Sequence, residues 1–398
     1  MRPEFRVSTV RRRGRAVVAT LCVTFAAALA TPAPAPAALP PEVGTNPTST
    51  VLPVPAHAHW VWINDPSFDH MIDGRAHLID GDSGRYLGVL STGYSYTHVV
   101  LARDGKLIYS PEIYFSRGTR GTRTDVVTIY DAATLKVVDE VPIPPKRVSD
   151  IPTTGNAGLT DDDRFLVIYN FTPSQSVSVV DTASRKFVGE IETPGCALAF
   201  PSGARTFFAM CADGSLLSVE LDDAGHAHSQ SRTAPLFDVA HDPVAERPVR
   251  AGDTWYFVSY DGRIHPVRRT ADGYSADASW PLTTAAERTQ GWRPGGLQQI
   301  AVHAGQNRLY VIMHQGGRDT HKDPGRSIWV YDLKSHHRVQ QFATRHPTGS
   351  IKLSGDDHPL LFTIFAASSE LDVYDGRTGR FLRTVTEAAS SPMLLVTP

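Results

Sequence analysis

Histidines are the residues of this sequence whose types and spacing most readily suggest chemistry. The chain contains 16 of them, and several occur in close pairs. Two imidazoles at short spacing can bind a transition metal when carboxylate or thiolate ligands join them. The pairs are His57/His59, His226/His228, His314/His321 and His336/His337. No carboxylate or cysteine lies at a convincing spacing from them, and we interpret the acidic triplet 161–163 as a solvated polar turn. The sequence therefore predicts no metal site.

Cys196 and Cys211 are the next candidates for chemistry. Of the three cysteines, Cys22 lies in an N-terminal segment that resembles an export signal. The other two flank a strand–turn–strand segment, and the oxidising compartment of an exported chain favours a disulfide between them. Such a bond closes a 15-residue loop and contributes about 3 kcal/mol in the chain-entropy model. Two buried thiols are the alternative.

Catalytic motifs are missing from the sequence. It contains no nucleophile elbow, phosphate-binding glycine-rich loop, HExxH helix, haem-attachment CxxCH or EF-hand loop. We therefore predict no catalytic residue in this chain.

Three segments place aromatic and arginine side chains on predicted loops. They are GYSYTH at 93–98, FSRGTRGTRTD at 115–125 and GWRPGGLQQ at 291–299. Exposed aromatics and arginines on loops are typical anchors of protein–protein interfaces. We therefore predict an interface role for Arg117, Arg120, Trp292 and Arg293. The alternative is structural, with Trp292 covering the core and Arg117 paired with a carboxylate of the sheet.

A repeated hairpin organises the rest of the chain. In SIWVYDLKSHHRVQQF (327–342), an alternating apolar strand ends at Asp332, and Ser335 follows three residues later. An Asp at this position accepts backbone N–H bonds in a tight turn. The same pattern recurs at Asp80, Asp131, Asp181 and Asp375, with weaker copies turning at Asp222 and near Thr270.

The repeat predicts an all-β fold. A second motif, a buried strand followed by a tight polar turn and another strand, precedes most of these hairpins, so each unit holds about four strands. Seven units of roughly 45–50 residues predict a seven-bladed β-propeller with four-stranded antiparallel blades. The lone C-terminal strand 392–396 is expected to be the innermost strand of the blade that contains 59–64 and 76–79. This pairing of the two ends closes the ring.

The N-terminal segment has the pattern of a targeting signal. Residues 1–38 combine a basic region, an apolar stretch at 16–30 and an Ala/Pro-rich end, which indicates a cleaved signal peptide for export by either the general secretory or the twin-arginine route. An uncleaved anchor is the alternative. We predict that residues 39–59 form an N-terminal arm and that residues 60–398 form the propeller. Removing the signal changes the formal charge from −2 to about −7, which argues against nucleic-acid binding. We expect no membrane association after cleavage.

Three motifs resemble the heavy subunit of quinoprotein amine dehydrogenases. They are FSRGTRGTRTD, the segment FPSGARTFFAMC around Cys211, and ERTQGWRPGGLQQIAVH at 287–303. The resemblance runs from about Val61 to Val396. It implies a periplasmic, non-catalytic propeller that assembles as two heavy and two light subunits. The light subunit of this family carries tryptophan tryptophylquinone and the catalytic base. It oxidises a primary amine to an aldehyde and ammonia, and an amicyanin- or azurin-like copper protein accepts the electrons.

The resemblance also implies a role for Tyr94. The segment STGY (91–94) is similar to the place where family members put an aromatic residue, commonly Phe, at the mouth of the substrate channel. A tyrosine that only packs at the subunit interface is the alternative. Two other functions stay open for the whole chain. One is a stand-alone secreted propeller that binds a protein or small ligand, and the other is a propeller hydrolase with acidic metal ligands around its channel.

Overall fold

The structure, a computed structural model, describes residues 50–94, 97–147 and 152–398. The predicted signal peptide 1–38 and the first part of the arm lie outside the described residues. What is described is all-β, as predicted, with one short α-helix and two 3-10 turns at Phe68–His70 and Thr154–Asn156. In this part of the chain, no helix has the length and apolar character needed to cross a membrane.

The strands follow one another along the whole described chain. In chain order they are β1 (Trp60–Asp65), β2 (Gly74–Asp80), β3 (Tyr86–Gly93), β4 (Val100–Leu101), β5 (Leu107–Arg117), β6 (Arg120–Asp131), β7 (Val137–Ile143), β8 (Ala157–Leu159), β9 (Phe165–Asn170), β10 (Ser176–Asp181), β11 (Lys186–Glu192), β12 (Cys196–Pro201), β13 (Thr206–Cys211), β14 (Leu216–Leu221), β15 (Ala227–Arg232), β16 (Val249–Ala251), β17 (Thr254–Val258), β18 (Arg263–Thr270), β19 (Gly273–Ala276), β20 (Trp280–Pro281), β21 (Trp292–Pro294), β22 (Ile300–His303), β23 (Arg308–Gln315), β24 (Gly325–Asp332), β25 (Arg338–Thr348), β26 (Ser350–Leu353), β27 (Leu360–Ile364), β28 (Leu371–Asp375), β29 (Phe381–Val385) and β30 (Leu394–Val396). The helix α1 spans Ala285–Thr289.

Antiparallel sheets of about four strands recur along the chain. Five sheets are formed by β8–β11, β12–β15, β16–β20, β21–β25 and β26–β29. The first sheet has eight strands in two antiparallel groups, β30-β1-β2-β3 and β4 to β7, joined by one parallel bridge between Gly93 and Ile113. Repeated four-stranded antiparallel sheets are the architecture of a propeller.

The predicted aspartate turns are present. The Asp131 carboxylate accepts from the Thr134 backbone N–H at 2.8 Å, and Asp332 accepts from Ser335 at 2.8 Å. The Asp375 side chain does the same with the N–H of the residue three positions later, at 2.9 Å. Because each turn fixes the same two-strand register, the hairpin repeats along the chain. The capping-box pattern of Thr284 and Glu287 predicts a short helix at 283–290, and α1 begins with that capping box.

The core lies between neighbouring sheets. Phe165 of β9 and Phe207 of β13 are fully buried in one cluster, together with Val219 of β14. Ile264 of β18 joins Trp329 of β24 in another. Each sheet therefore buries both faces against its neighbours. For this reason the sequences of the inner strands are nearly continuous runs of apolar residues. The outer strands are more polar, and β15 is exposed along its whole length.

Both ends of the described chain meet in the first sheet. The C-terminal strand is shorter than the predicted range 392–396, and it pairs antiparallel with β1, with Trp62 opposite Val396 and Asn64 opposite Leu394. The described part of the arm packs on the same sheet, because Leu52 is buried and its N–H donates to the Ala133 carbonyl at 2.8 Å.

Candidate functional site

Connections between antiparallel strands alternate between the two ends of a sheet. The connection from the second to the third strand therefore lies at the same end as the connection that leaves the fourth strand. We call this the upper end and the opposite one the lower end. Tyr94 follows β3, the hairpin tip at 118–119 joins β5 to β6, and Trp292 begins β21 beside the end of β23. The three predicted loop segments thus share the upper end of their sheets.

Tyr94 is held against β5 by its backbone. Its N–H donates to the Ile113 carbonyl at 2.9 Å. Gly93, at φ 60°, permits this approach, because a Cβ there would lie 2.7 Å from the Tyr114 ring and 2.9 Å from the Ile113 carbonyl. The half-buried Tyr94 ring meets Phe115 edge to face, with 6.4 Å between ring centroids and an interplanar angle of 86°. This geometry is favourable for an aromatic pair.

A buried carboxyl group lies on the same strand as Phe115, three residues before it. Glu112 is fully buried, and its carboxyl group contacts the hydroxyls of Thr128, Tyr114 and Tyr130. Burial raises the pKa of Glu112, although the surrounding hydroxyls oppose the shift. The Tyr130 hydroxyl lies 2.9 Å from Glu112 Oε1 and 3.0 Å from the Ser91 carbonyl. A protonated Glu112 gives the carboxyl group, the Tyr130 hydroxyl and the Ser91 carbonyl each a hydrogen-bond partner. The Tyr130 hydroxyl then accepts from the carboxyl group and donates to the carbonyl of Ser91, three residues before Tyr94.

The base of the β5–β6 hairpin is fixed by ion pairs. Arg123 donates two hydrogen bonds to Asp125, at 2.6 and 2.7 Å, and a third to the Arg147 carbonyl at 2.7 Å. Arg147 is itself buried and donates to the Thr97 hydroxyl at 2.5 Å and to the Pro111 carbonyl at 3.0 Å. Burial lowers the pKa of Arg147 to about 10, which leaves it charged at neutral pH.

The predicted interface residues fall into two groups. Arg117 and Arg120 are exposed partners across the hairpin tip, and neither forms an ion pair with any described residue. Trp292 is half-buried and packs on Trp329, with ring centroids 5.2 Å apart. The Arg293 guanidinium approaches Asp261 at 4.0 Å, and its side chain is only 16% exposed. Trp292 and Arg293 therefore also have structural contacts, and an interface role for all four stays a prediction.

The two cysteines lie apart from this site. Cys196 of β12 and Cys211 of β13 face each other in the strand register and form a disulfide. Their sulfurs contribute to the apolar cluster between the β8–β11 and β12–β15 sheets. The predicted pairing is present, and its position within a sheet indicates a structural role.

Two polar clusters were missed from the sequence. The interpretation of Asp161 as solvated was wrong, because its carboxylate accepts from Arg250 at 2.7 and 2.8 Å and from Arg103 at 2.9 Å. At the lower end, His59 lies between the carboxylates of Asp82 and Asp356. These partners are 23 and 297 residues away along the chain, so no local spacing could reveal them. The only local signal was the pair of alternating histidines at 57 and 59.

The fold and the site together define a class. The chain is an all-β protein of propeller-type sheets whose upper end presents an aromatic pair, a supporting polar cluster and exposed arginines.

Comparisons with known proteins specify the family. The sequence model described as methylamine dehydrogenase heavy chain matches residues 57–398. A methylamine dehydrogenase heavy chain from Paracoccus versutus is 31% identical over 353 residues, which cover 87% of this chain and 81% of that protein. A heavy chain from Methylobacillus flagellatus is 30% identical over 388 residues, 96% of each protein. The chain therefore belongs to the methylamine dehydrogenase heavy chain family.

Solved structures agree on the fold. A functionally unknown protein from Desulfotomaculum acetoxidans superposes with a TM-score of 0.57 at 13% identity, covering 85% of this chain and 98% of that one. A dihydro-haem d1 dehydrogenase gives a TM-score of 0.53 at 18% identity, covering 83% of this chain and 64% of that one. At such identities the likeness concerns the fold alone.

Proposed function

We propose that this chain is the large, non-catalytic subunit of a periplasmic amine dehydrogenase that oxidises primary amines to aldehyde and ammonia. The observation that carries the proposal is the family match over residues 57–398. The heavy chain from Methylobacillus flagellatus supports it further, because the similarity extends over 96% of both proteins. In this proposal residues 1–38 are the cleaved export signal, 39–59 are an arm, and 60–398 are a closed ring of seven blades.

The ring is supported by the sheet arrangement. The two groups of the first sheet and the five further sheets supply seven units of four or five strands each. The pairing of β30 with β1 joins the last residues of the chain to the first strand. A ring closed in this way has no exposed inner edge, and it offers a rigid platform whose loops can differ freely between relatives.

The proposed partner is a light subunit bound at the upper end, in a complex of two heavy and two light chains. Arg117 and Arg120 stand on a hairpin that extends beyond the sheet, and they are exposed without an ion pair to any described residue. Planar guanidinium groups are well suited to bind carboxylates or backbone carbonyls of a partner. The β5–β6 hairpin that carries both arginines is rigid, because Arg123, Asp125 and Arg147 fix its base.

Tyr94 is the proposed residue at the mouth of the substrate channel. Its backbone is fixed by Ile113 and its ring by Phe115, so the phenol presents a defined edge towards an incoming amine. Compared with a phenylalanine, the hydroxyl adds volume and a hydrogen-bonding group. The added volume favours a small amine over a larger arylalkyl amine.

The proposed cofactor, tryptophan tryptophylquinone, belongs to the light subunit, and it supplies the oxidation of the amine when that subunit is bound. This chain contributes the entrance and the supporting surface, and we assign it no residue that holds the quinone. An amicyanin- or azurin-like copper protein is the proposed electron acceptor.

Co-purification tests the scaffold role. The gene, expressed in its native host with its neighbours intact, should yield a periplasmic complex in which a smaller chain co-elutes with this one in equal amounts. The variant R117A/R120A should release that chain at lower salt, whereas R318A, at another exposed arginine of an upper connection, should not. A single polypeptide that elutes alone from the native periplasm would contradict the proposal and favour a stand-alone binding propeller.

A further inference from the structure

Two histidines and a carboxylate meet at the lower end of the first sheet. His59 Nδ1 lies 2.8 Å from Asp82 Oδ1, and His57 Nδ1 lies 3.8 Å from Asp82 Oδ2. In the described part of the chain, His57, His59 and Asp82 are the group of three ligating side chains whose ligand atoms all lie within 4.8 Å of one another. Two ligands about 2.1 Å from a tetrahedral zinc ion lie about 3.4 Å apart. The observed separations bracket that value.

A second carboxylate orients the central histidine from outside this group. His59 Nε2 lies 3.1 Å from Asp356 Oδ2 and 3.2 Å from the His358 carbonyl. Asp356 is itself fixed, because it accepts from the Ser354 hydroxyl at 2.6 Å. With a proton on Nε2 bonded to Asp356, the Nδ1 lone pair of His59 points at the space beside Asp82. A carboxylate on the remote imidazole nitrogen is the usual support of a metal-binding histidine.

The backbone holds the three ligands in place. The Gly81 N–H donates to the His59 carbonyl at 2.9 Å, and a Cβ on Gly81 would lie only 2.6 Å from that oxygen. Asp82 is further positioned by its N–H, which donates to Asp80 at 3.0 Å. His57 is the most exposed of the three, with a side chain 56% exposed. Its Nδ1 accepts a long 3.3 Å bond from the His59 N–H, which a metal ion at this nitrogen would replace.

We propose that His57, His59 and Asp82 bind a zinc ion, with a water molecule as the fourth ligand and Asp356 orienting His59. The ligands come from the arm and the β2–β3 turn, and the orienting carboxylate comes from the β26–β27 connection of the last sheet. A bound ion thus ties together the arm, the first sheet and the last sheet. The site lies at the lower end, opposite the proposed light-subunit surface, so its role is structural and independent of amine oxidation.

Zinc titration of the mature, tag-free chain tests the site. Isothermal titration calorimetry should give one zinc ion per chain, and zinc should raise the thermal midpoint. H57A, H59A and D82N should each abolish the stoichiometric binding. D356N should retain one site and weaken it by about 10–100-fold. The matched control is H226A/H228A, which removes an exposed pair of the same spacing and should leave binding unchanged.

H57A separates metal binding from folding, because the His57 side chain is exposed and its contacts are weak: a 3.3 Å bond from the His59 N–H, an edge contact with the His59 ring and a 3.8 Å approach to Asp82. Its metal-free thermal midpoint should equal that of the wild type. Absence of stoichiometric binding to the wild type, or equal binding to H57A and D82N, would overturn the proposal. The proposal would also be overturned if the wild-type chain did not bind zinc and both D82N and D356N lowered its stability. His59 would then be a charged bridge between two carboxylates.

Discussion

Asp65 accepts a hydrogen bond from the backbone N–H of Ser391 at 3.0 Å, although 326 residues separate the two along the chain. The other oxygen of the same carboxylate accepts from the Ser390 N–H at 2.6 Å. Asp65 ends β1, and the connection at 390–391 leads directly into β30, which pairs with that strand. A single buried carboxylate therefore fixes the approach of the C-terminal strand.

Replacing Asp65 should loosen this junction. D65A leaves the N–H groups of the buried residues Ser67 and Ser391 without their acceptor, and each unsatisfied buried donor costs about 1–3 kcal/mol. We expect a loss of about 2–4 kcal/mol in the free energy of unfolding, measured by chemical denaturation. D69A, at an exposed position of the neighbouring 3-10 turn, is the control and should change stability little. Equal effects of the two variants would contradict the assigned role of Asp65.

Glu112 should give stability an unusual pH dependence. Its pKa is raised by burial, so the folded chain binds this proton more tightly than the unfolded chain does. The contribution is therefore fully present below the unfolded pKa of about 4.5 and is lost as pH rises through the folded value. E112Q cannot titrate, so we expect its stability to exceed that of the wild type increasingly as pH rises.

Denaturation of both proteins over a pH series measures this difference directly, because other groups titrate identically in each. E112A should cost about 1–3 kcal/mol at every pH, since the hydroxyls of Thr128 and Tyr114 lose their acceptor and the Tyr130 hydroxyl loses the carboxyl group that it contacts. A constant offset between E112Q and the wild type from acid to neutral pH would show that Glu112 keeps an ordinary pKa.

The disulfide between Cys196 and Cys211 should account for a measurable part of the stability. The bond spans 15 residues, for which the chain-entropy model gives about 3 kcal/mol. C196S/C211S should therefore unfold at a lower denaturant concentration with that loss in free energy. Reduction of the wild type should reproduce the effect, and reduction of the double variant should have none. Unchanged stability in the double variant would mean that the bond adds nothing to packing between the two strands.

Tyr94 should influence the choice of amine within the assembled complex. Y94F removes the hydroxyl while keeping the edge-to-face contact with Phe115. We expect the ratio of kcat/KM for a small amine over an arylalkyl amine to fall by about 10-fold, the value of one hydrogen bond or methylene-sized contact. Y86F is the control, because Tyr86 lies at the opposite end of the same strand. An unchanged ratio in Y94F would leave Tyr94 as a packing residue only.

The local parts of this structure could be predicted because their causes are local. The hairpins follow from Asp131, Asp332 and their equivalents, whose carboxylates capture N–H groups two or three residues away. The short helix follows from Thr284 and Glu287 in the same way. The pairing of β30 with β1 could be anticipated because a lone apolar strand needs a partner.

The polar clusters could not be predicted, since their members come from distant parts of the chain. Asp161 meets Arg250, which is 89 residues away, and His59 meets Asp356 across the junction of the first and last sheets. Glu112 looks like any alternating strand residue until the fold surrounds it with hydroxyls. A charged residue in a strand pattern is normally assigned to the solvent face, and only packing shows that this one points inwards.

The central claim is that this chain supports amine oxidation by a quinone-bearing partner. The most direct test is the visible spectrum of the complex purified from the native periplasm, recorded before and after addition of a primary amine. The account predicts a second, smaller chain and a quinone absorption band that bleaches with the amine and returns when a copper protein accepts the electrons. A colourless preparation of this polypeptide alone, unchanged by any amine, would contradict it.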